Sequence, residues 1–204
     1  MGGAYNRSNI PSSAGRPLLF SHGYPYWRSS VAVAKASPAV NEIVYVTPGF
    51  AVTGGLQPDD FAKVVALGFK SILSNLPDGE SNEFPSAAEE SGLARQAGLG
   101  FRHVPATKSE VFDERVVLGV TAALGDLEGP VLAHCASGQR SAIAWAAAAA
   151  RSQPADCVIA VLRNAGYDLS VLRDELEEQL GCERPATIPI ALDCHCKEQG
   201  ERVT

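Results

Sequence analysis

From residue 42 onward, short apolar runs alternate with stretches of about ten residues that carry a helical period. Ile43–Val46 reads as a strand, closed by the turn Thr47-Pro48-Gly49. Pro58, with Asp59 and Asp60, opens a helix, because proline suits the first turn and acids suit its positive end. That helix runs to Leu67, and Gly68 stops it. Phe69–Leu73 reads as a buried strand, followed by the loop Pro77-Asp78-Gly79-Glu80. Ser86, with Glu89 three residues on, makes a capping box for a helix that ends near Gly98. Phe101–Val104 is the next strand, Glu110–Leu124 a helix, and Val131–His134 a short apolar strand. An Ala-rich helix over Ser141–Arg151 follows. Pro154 and Asp156 begin another that closes near Gly166, and Ser170–Leu180 makes a last, charged one.

This alternation predicts an α/β fold with a mainly parallel central sheet flanked by helices. Ligands of such sheets bind outside the carboxyl ends of the strands. The loops Ser74–Glu80, Pro105–Glu110 and Cys135–Arg140 all leave strand ends, so they are expected to share one rim. The 204 residues suit one domain with tails. The expected division is an N-terminal arm over 1–41, a catalytic domain over 42–180 and a C-terminal tail over 181–204. The arm is acid-free and holds Arg7, Arg16, Arg28 and Lys35 among many Ser, Gly, Pro and Ala. It reads as a disordered arm or as an organelle transit peptide. It lacks the apolar run of a secretory signal, and Met-Gly-Gly-Ala-Tyr-Asn lacks the hydroxyl residue that myristoylation wants.

A net charge of −6 argues against broad nucleic-acid binding, and no apolar run approaches the ~20 residues that span a bilayer. The five cysteines, Cys135, Cys157, Cys182, Cys194 and Cys196, are odd in number and irregularly spaced, unlike a secreted disulfide framework. A reducing compartment is therefore expected: the cytoplasm, or an organelle matrix if the arm is a transit peptide. Cys194-His195-Cys196, even with Cys182, falls short of the four ligands of a structural zinc site. No metal site is expected.

The segment His134-Cys135-Ala136-Ser137-Gly138-Gln139-Arg140-Ser141 carries the chemistry. It joins an apolar strand to a helix, so successive backbone N–H groups and the helix dipole converge on the loop's centre. Gly138 permits the backbone twist that such a nest requires. Arg140 supplies a planar fork that grips two oxygens of an anion. The same positive surroundings stabilise a thiolate at Cys135. His134, the last strand residue, is expected to orient the loop, or else to be an ordinary buried histidine. Ser141 either bonds the cysteine sulfur or caps the following helix.

The chain resembles the protein tyrosine and dual-specificity phosphatase superfamily, and within it a bacterial-type phosphatase-like branch found alone or fused to metallo-β-lactamase-like hydrolase modules. Besides the cysteine loop, the matching stretches include Gly54-Gly55-Leu56-Gln57-Pro58, Gly68-Phe69-Lys70-Ser71-Ile72, Pro77-Asp78-Gly79-Glu80, His103-Val104-Pro105 and Ala165-Gly166-Tyr167-Asp168. The resemblance implies metal-free, cofactor-free hydrolysis of phosphate monoesters in a phosphorylated protein, of the phosphotyrosine or dual-specificity kind, or in a small phosphate ester. Cys135 would form a phosphocysteine. Arg140 and the loop from Ala136 through Gln139 would hold the phosphoryl oxygens, and a loop carboxylic acid would protonate the leaving group. Asp78 is the preferred acid, ahead of Asp113, with Glu80 and Glu110 as further candidates. Two features depart from the family pattern. Four residues separate Cys135 from Arg140, where most tyrosine phosphatases have five; the narrow branch shares the shorter loop, but so do many rhodaneses, which transfer sulfur through a persulfide. Leu76 stands where many close relatives carry arginine. Sulfur transfer at Cys135 and non-catalytic phosphate binding are the alternative readings.

Overall fold

The structure, a computed structural model, describes residues 42–180. The predicted arm and tail, with Cys182, Cys194, His195 and Cys196, lie outside the described residues. Strand β1 (Val44–Thr47) turns at Pro48-Gly49 into β2 (Phe50–Thr53), and helix α1 (Asp60–Ala66) follows. Next come β3 (Ser71–Ser74), α2 (Ala87–Ala97), β4 (Gly100–His103), α3 (Glu114–Asp126) and β5 (Val131–His134). The described residues end in α4 (Gln139–Ala150), α5 (Ala155–Asn164), a single 3₁₀ turn at Ser170–Leu172, and α6 (Arg173–Gln179).

The five strands form one sheet in the order β1-β2-β5-β3-β4. Only the β1–β2 hairpin is antiparallel; β2, β5, β3 and β4 run parallel. The register sets Thr53 against His134, His134 against Ser74, and Ser74 against His103. Four parallel strands thus end in line, and β5, at the centre, launches the cysteine loop.

Each sheet face is covered. Phe50, Val52, Leu73, Val131 and Ala133 pack with residues of α3, α4 and α5. On the other face Ala51, Ile72 and Leu132 pack with Phe61 and Val64 of α1 and Ala94 of α2. A fully buried side chain such as Leu132 contributes roughly 1.5–3 kcal/mol. The alanines of α4 are all buried; without bulk, they let the helix lie close to α3, α5 and α6. Trp145 fills the remaining gap and stacks on Phe50 with ring centres 5.8 Å apart.

Besides shifts of one or two residues at element ends, as in α1, β3 and β4, the structure departs from the sequence expectations in four places. β2 was not expected: its four residues are all buried, so no polar alternation marks it. α3 starts at Glu114 rather than Glu110, because Glu110 accepts hydrogen bonds from the Thr107 hydroxyl (2.7 Å) and amide (3.4 Å), closing a turn before the helix. α4 starts two residues earlier than expected, at Gln139, because Gly138 in the left-handed region (φ +86°) turns the chain directly into it. The last helix is split by the 3₁₀ turn, where Asp168 accepts from the amide of Ser170. By contrast the Ser86–Glu89 capping box forms as expected, with reciprocal bonds of 3.4 and 2.8 Å.

Candidate active site

Cys135 follows β5 directly and is fully buried. Of the residues after it, Ala136, Ser137 and Gln139 are exposed, whereas Gly138 and Arg140 are buried. The loop leans on the β2 end: the amide of Gly55 donates to the carbonyl of Ala136 at 3.4 Å. A Cβ at Gly138 would stand 3.1 Å from the carbonyl oxygen of Thr53 and 3.4 Å from the hydroxyl of Tyr167. Glycine is thus required there twice, by its backbone angle and by the space. Because α4 begins immediately after it, the orphan amides of the helix's first turn open toward the loop.

The predicted common rim exists, and Asn75 ties it together. The Asn75 amide donates to the His134 carbonyl at 2.8 Å, and its side-chain nitrogen donates to Val104 O at 2.9 Å. Its own carbonyl accepts from Ala106 at 3.2 Å. The ends of β3, β4 and β5 are therefore fixed to one another by a single residue. His103 adds a bond of 2.9 Å between its Nε2 and the Leu76 carbonyl.

Arg140 crosses this rim. Its Nη1 donates to the carbonyl of Ala106 and to Oε2 of Glu80, both at 2.7 Å, and its Nη2 donates to Oε1 of Glu80. The guanidinium is largely buried, while the Glu80 side chain is 35% exposed. The fork is thus pinned from behind by a backbone carbonyl and grips a carboxylate in front, the bidentate geometry in which arginine binds oxyanions.

The other candidate acids are spent differently. Asp78 Oδ1 accepts from the amide of Ala87 at 2.7 Å, so this carboxylate caps the first turn of α2. It lies on the expected loop but is turned to the helix rather than to Arg140. Glu110 is engaged by Thr107, whose hydroxyl and amide hold its carboxyl below the usual carboxylate range. Asp113 precedes α3 and makes no side-chain capping bond. Ser141 is not the cap of α4, a place Gly138 takes. Its hydroxyl is buried and has no hydrogen-bond partner among the described residues.

His134 is wholly buried, but it is not the satisfied histidine of the plainer reading. Its Nε2 stands 3.2 Å from Oε1 of Glu90, itself 1% exposed. That separation suits an ion pair, yet the atoms are not aligned as a hydrogen bond. Two residues near the loop escaped sequence reasoning. Glu90 sits on the inward stripe of α2, three and four residues before Leu93 and Ala94, a spacing at which a charge signals a buried partner. Tyr167 comes from the turn after α5. Burial first, and then electrostatic interaction with Cys135 and Glu42, push its phenol above the ordinary value, so it remains a proton donor. Its one sequence signal was its place in the Ala165–Asp168 stretch. No group of three or more metal-ligating side chains occurs among the described residues.

Residues 42–152 match the family described as "Beta-lactamase hydrolase-like protein, phosphatase-like domain". The chain is 32% identical over 105 residues to a beta-lactamase hydrolase-like protein of Xylella fastidiosa (strain Temecula1), and 31% identical over 98 residues to one of Agrobacterium fabrum. These matches take in 52% and 48% of this chain but only 24% and 22% of those proteins. Among solved structures, a candidate phosphatase from Neisseria meningitidis is 31% identical, with a TM-score of 0.56 and coverage of 67% of this chain and 97% of that one. PTPMT1, 11% identical with a TM-score of 0.50 over 68% of this chain and 93% of its own, shares the fold. The matched family is described as phosphatase-like, and the Neisseria protein as a candidate phosphatase. With more than half of its length matched and the cysteine loop at the centre of its sheet, this chain belongs to the beta-lactamase hydrolase-like phosphatase-domain family.

Proposed function

We propose that this protein hydrolyses phosphate monoesters through a phosphocysteine at Cys135, with phosphorylated proteins, phosphotyrosine among their residues, as the substrate class. The Cys135 thiolate attacks phosphorus as the bond to the leaving oxygen breaks, and a carboxylic acid gives that oxygen its proton. Water then attacks phosphorus, the P–S bond breaks, and the carboxylate takes up the water's proton. Arg140 and the loop amides hold the non-bridging oxygens throughout, which is electrostatic preorganisation. Ser141 donates to the departing sulfur in the second step.

The observation that carries this reading is the bidentate seat on Arg140. A buried guanidinium, on the residue that closes the cysteine loop and fixed by Ala106 O, already holds an anion, the Glu80 carboxylate. The same contact favours Glu80 over Asp78 as the acid. When a phosphate ester takes its place on Arg140, Glu80 loses its cation and faces new negative charge. Both changes favour its protonated form, and on this reading it is the acid that serves the leaving group.

The test is a paired assay of one preparation with p-nitrophenyl phosphate and with thiosulfate plus cyanide, each beside Cys135→Ser. Cysteine-dependent phosphate release is expected, with at most slow thiocyanate formation. Cysteine-dependent thiocyanate without phosphate release would establish the sulfurtransferase suggested by the four-residue loop. Tight phosphate binding without either activity would mark a binding module.

A further inference from the structure

The His134–Glu90 contact is a buried ionisable pair directly behind the nucleophile. Neither oxygen of Glu90 and neither ring nitrogen of His134 has a hydrogen-bond partner among the described residues. A carboxylate so placed is heavily penalised unless a cation faces it. Leu132 belongs to the core on the α1/α2 side, and alternation along β5 turns His134 to that same side.

The surrounding groups are otherwise accounted for. At the end of β3 and just past it the neighbours are Ser74 and Asn75, and on β2 Thr53, all uncharged. On β4, His103 is bonded to Leu76 O; on α2, Glu89 serves Ser86; in the following loop, Asp78 serves Ala87. On α4, Arg140 serves Glu80. Among the described residues His134 is the cation-forming group within ion-pair distance of Glu90. Glu90 and Ser74 also line a cavity of about 240 Å³ under the loop that carries Asp78 and Glu80. The pair therefore lies between the nucleophile loop and the acid loop.

We propose that Glu90 is a positioning residue for the reaction described above: its carboxylate holds His134 as an imidazolium, which anchors the start of the cysteine loop and supports the Cys135 thiolate. The ring belongs to the residue next to Cys135 and the carboxylate to a different element, so a positive charge on the ring acts one residue from the thiol. Without Glu90 the buried ring has no counter-charge and sheds its proton, and the thiolate loses that support.

Thiolate reactivity reads this without any phosphate ester. The full-length protein is treated with iodoacetamide at about pH 6, and modification of the Cys135 peptide is followed by mass spectrometry, apart from Cys157 and the three later cysteines. Glu90→Gln is expected to slow labelling about tenfold, the equivalent of one pH unit, and Glu90→Asp to keep it within about threefold. His134→Gln is expected to match the loss, and adding Glu90→Gln to it to slow labelling no further. Parental labelling in a cooperatively melting Glu90→Gln protein, or losses that add in the double variant, would overturn the proposal. Should Glu90→Gln fail to melt cooperatively, parental labelling in His134→Gln would overturn it equally. A parent that labels in this pattern yet releases no phosphate from p-nitrophenyl phosphate would refute the phosphatase reading and not this one.

Discussion

Replacing Glu80 by glutamine separates two roles that most substitutions confuse. In the structure the Glu80 carboxylate occupies both outer positions of the Arg140 fork, one through a bond of 2.7 Å from Nη1, the other from Nη2. An incoming phosphate must displace it. Charge-assisted bonds of this kind contribute about 1.5–3 kcal/mol when sheltered, but the Glu80 side chain is 35% exposed, so water screens part of that. A net competition of roughly 1–2 kcal/mol remains, equivalent to a factor of about 5–30. Glu80→Gln is therefore expected to tighten binding of inorganic phosphate or vanadate by that factor. The Ala106 carbonyl keeps the fork in position after the acid has gone. The same variant is expected to lose turnover, strongly for an alkyl phosphate and mildly for p-nitrophenyl phosphate, whose leaving group needs little protonation. The assay is competitive inhibition by phosphate and vanadate alongside kcat for both esters. Unchanged or weaker anion binding in a folded Glu80→Gln protein would refute the competition. Equal kcat losses for the two esters would refute the acid role.

Four further outcomes are expected. Asp78→Asn weakens the cap on α2 and lowers stability by about 0.5–1 kcal/mol, with kcat for alkyl phosphates nearly unchanged; a large kcat loss confined to poor leaving groups would move the acid from Glu80 to Asp78. Gly138→Ala forces a side chain into left-handed backbone, at about 1–2 kcal/mol, and against Thr53 O; phosphate affinity measured by calorimetry should fall sharply. Arg140→Lys replaces a fork by a point charge and should cost about 2–4 kcal/mol in kcat/KM, whereas near-parental efficiency would make Arg140 structural. The Arg173 guanidinium bonded to Asp156 holds that carboxyl below its ordinary value of 3.8. This contribution to stability is complete above that ordinary value and disappears as pH falls through the lowered one. Thermal melts of Asp156→Asn should therefore lie below the parent at neutral pH and converge with it in strong acid.

The elements with local signals were legible in the sequence. The Ser86–Glu89 box marked the start of α2, and the strand Val131–His134 was bounded by Pro130 and the cysteine loop. The shared rim followed from strand ends alone, and Arg140 reaching Ala106 and Glu80 realises it. What stayed hidden depends on contacts between distant segments. β2 carries no alternation because both of its faces are covered. Asp78 and Glu80 look equivalent along the chain; only the three-dimensional path of their loop gives one to Ala87 and the other to Arg140. Glu90 reads as a second acid in a helix's first turn, and its meaning appears only when β5 brings His134 against it.

The central claim is a covalent phosphocysteine, and direct detection tests it best. The protein is quenched in acid during turnover of p-nitrophenyl phosphate, digested and examined by mass spectrometry. The account predicts a phosphoryl group on the peptide containing Cys135, absent from Cys135→Ser together with phosphate release. Phosphate release persisting in Cys135→Ser, or a persulfide formed from thiosulfate on Cys135 with no phosphoryl adduct under turnover, would contradict it.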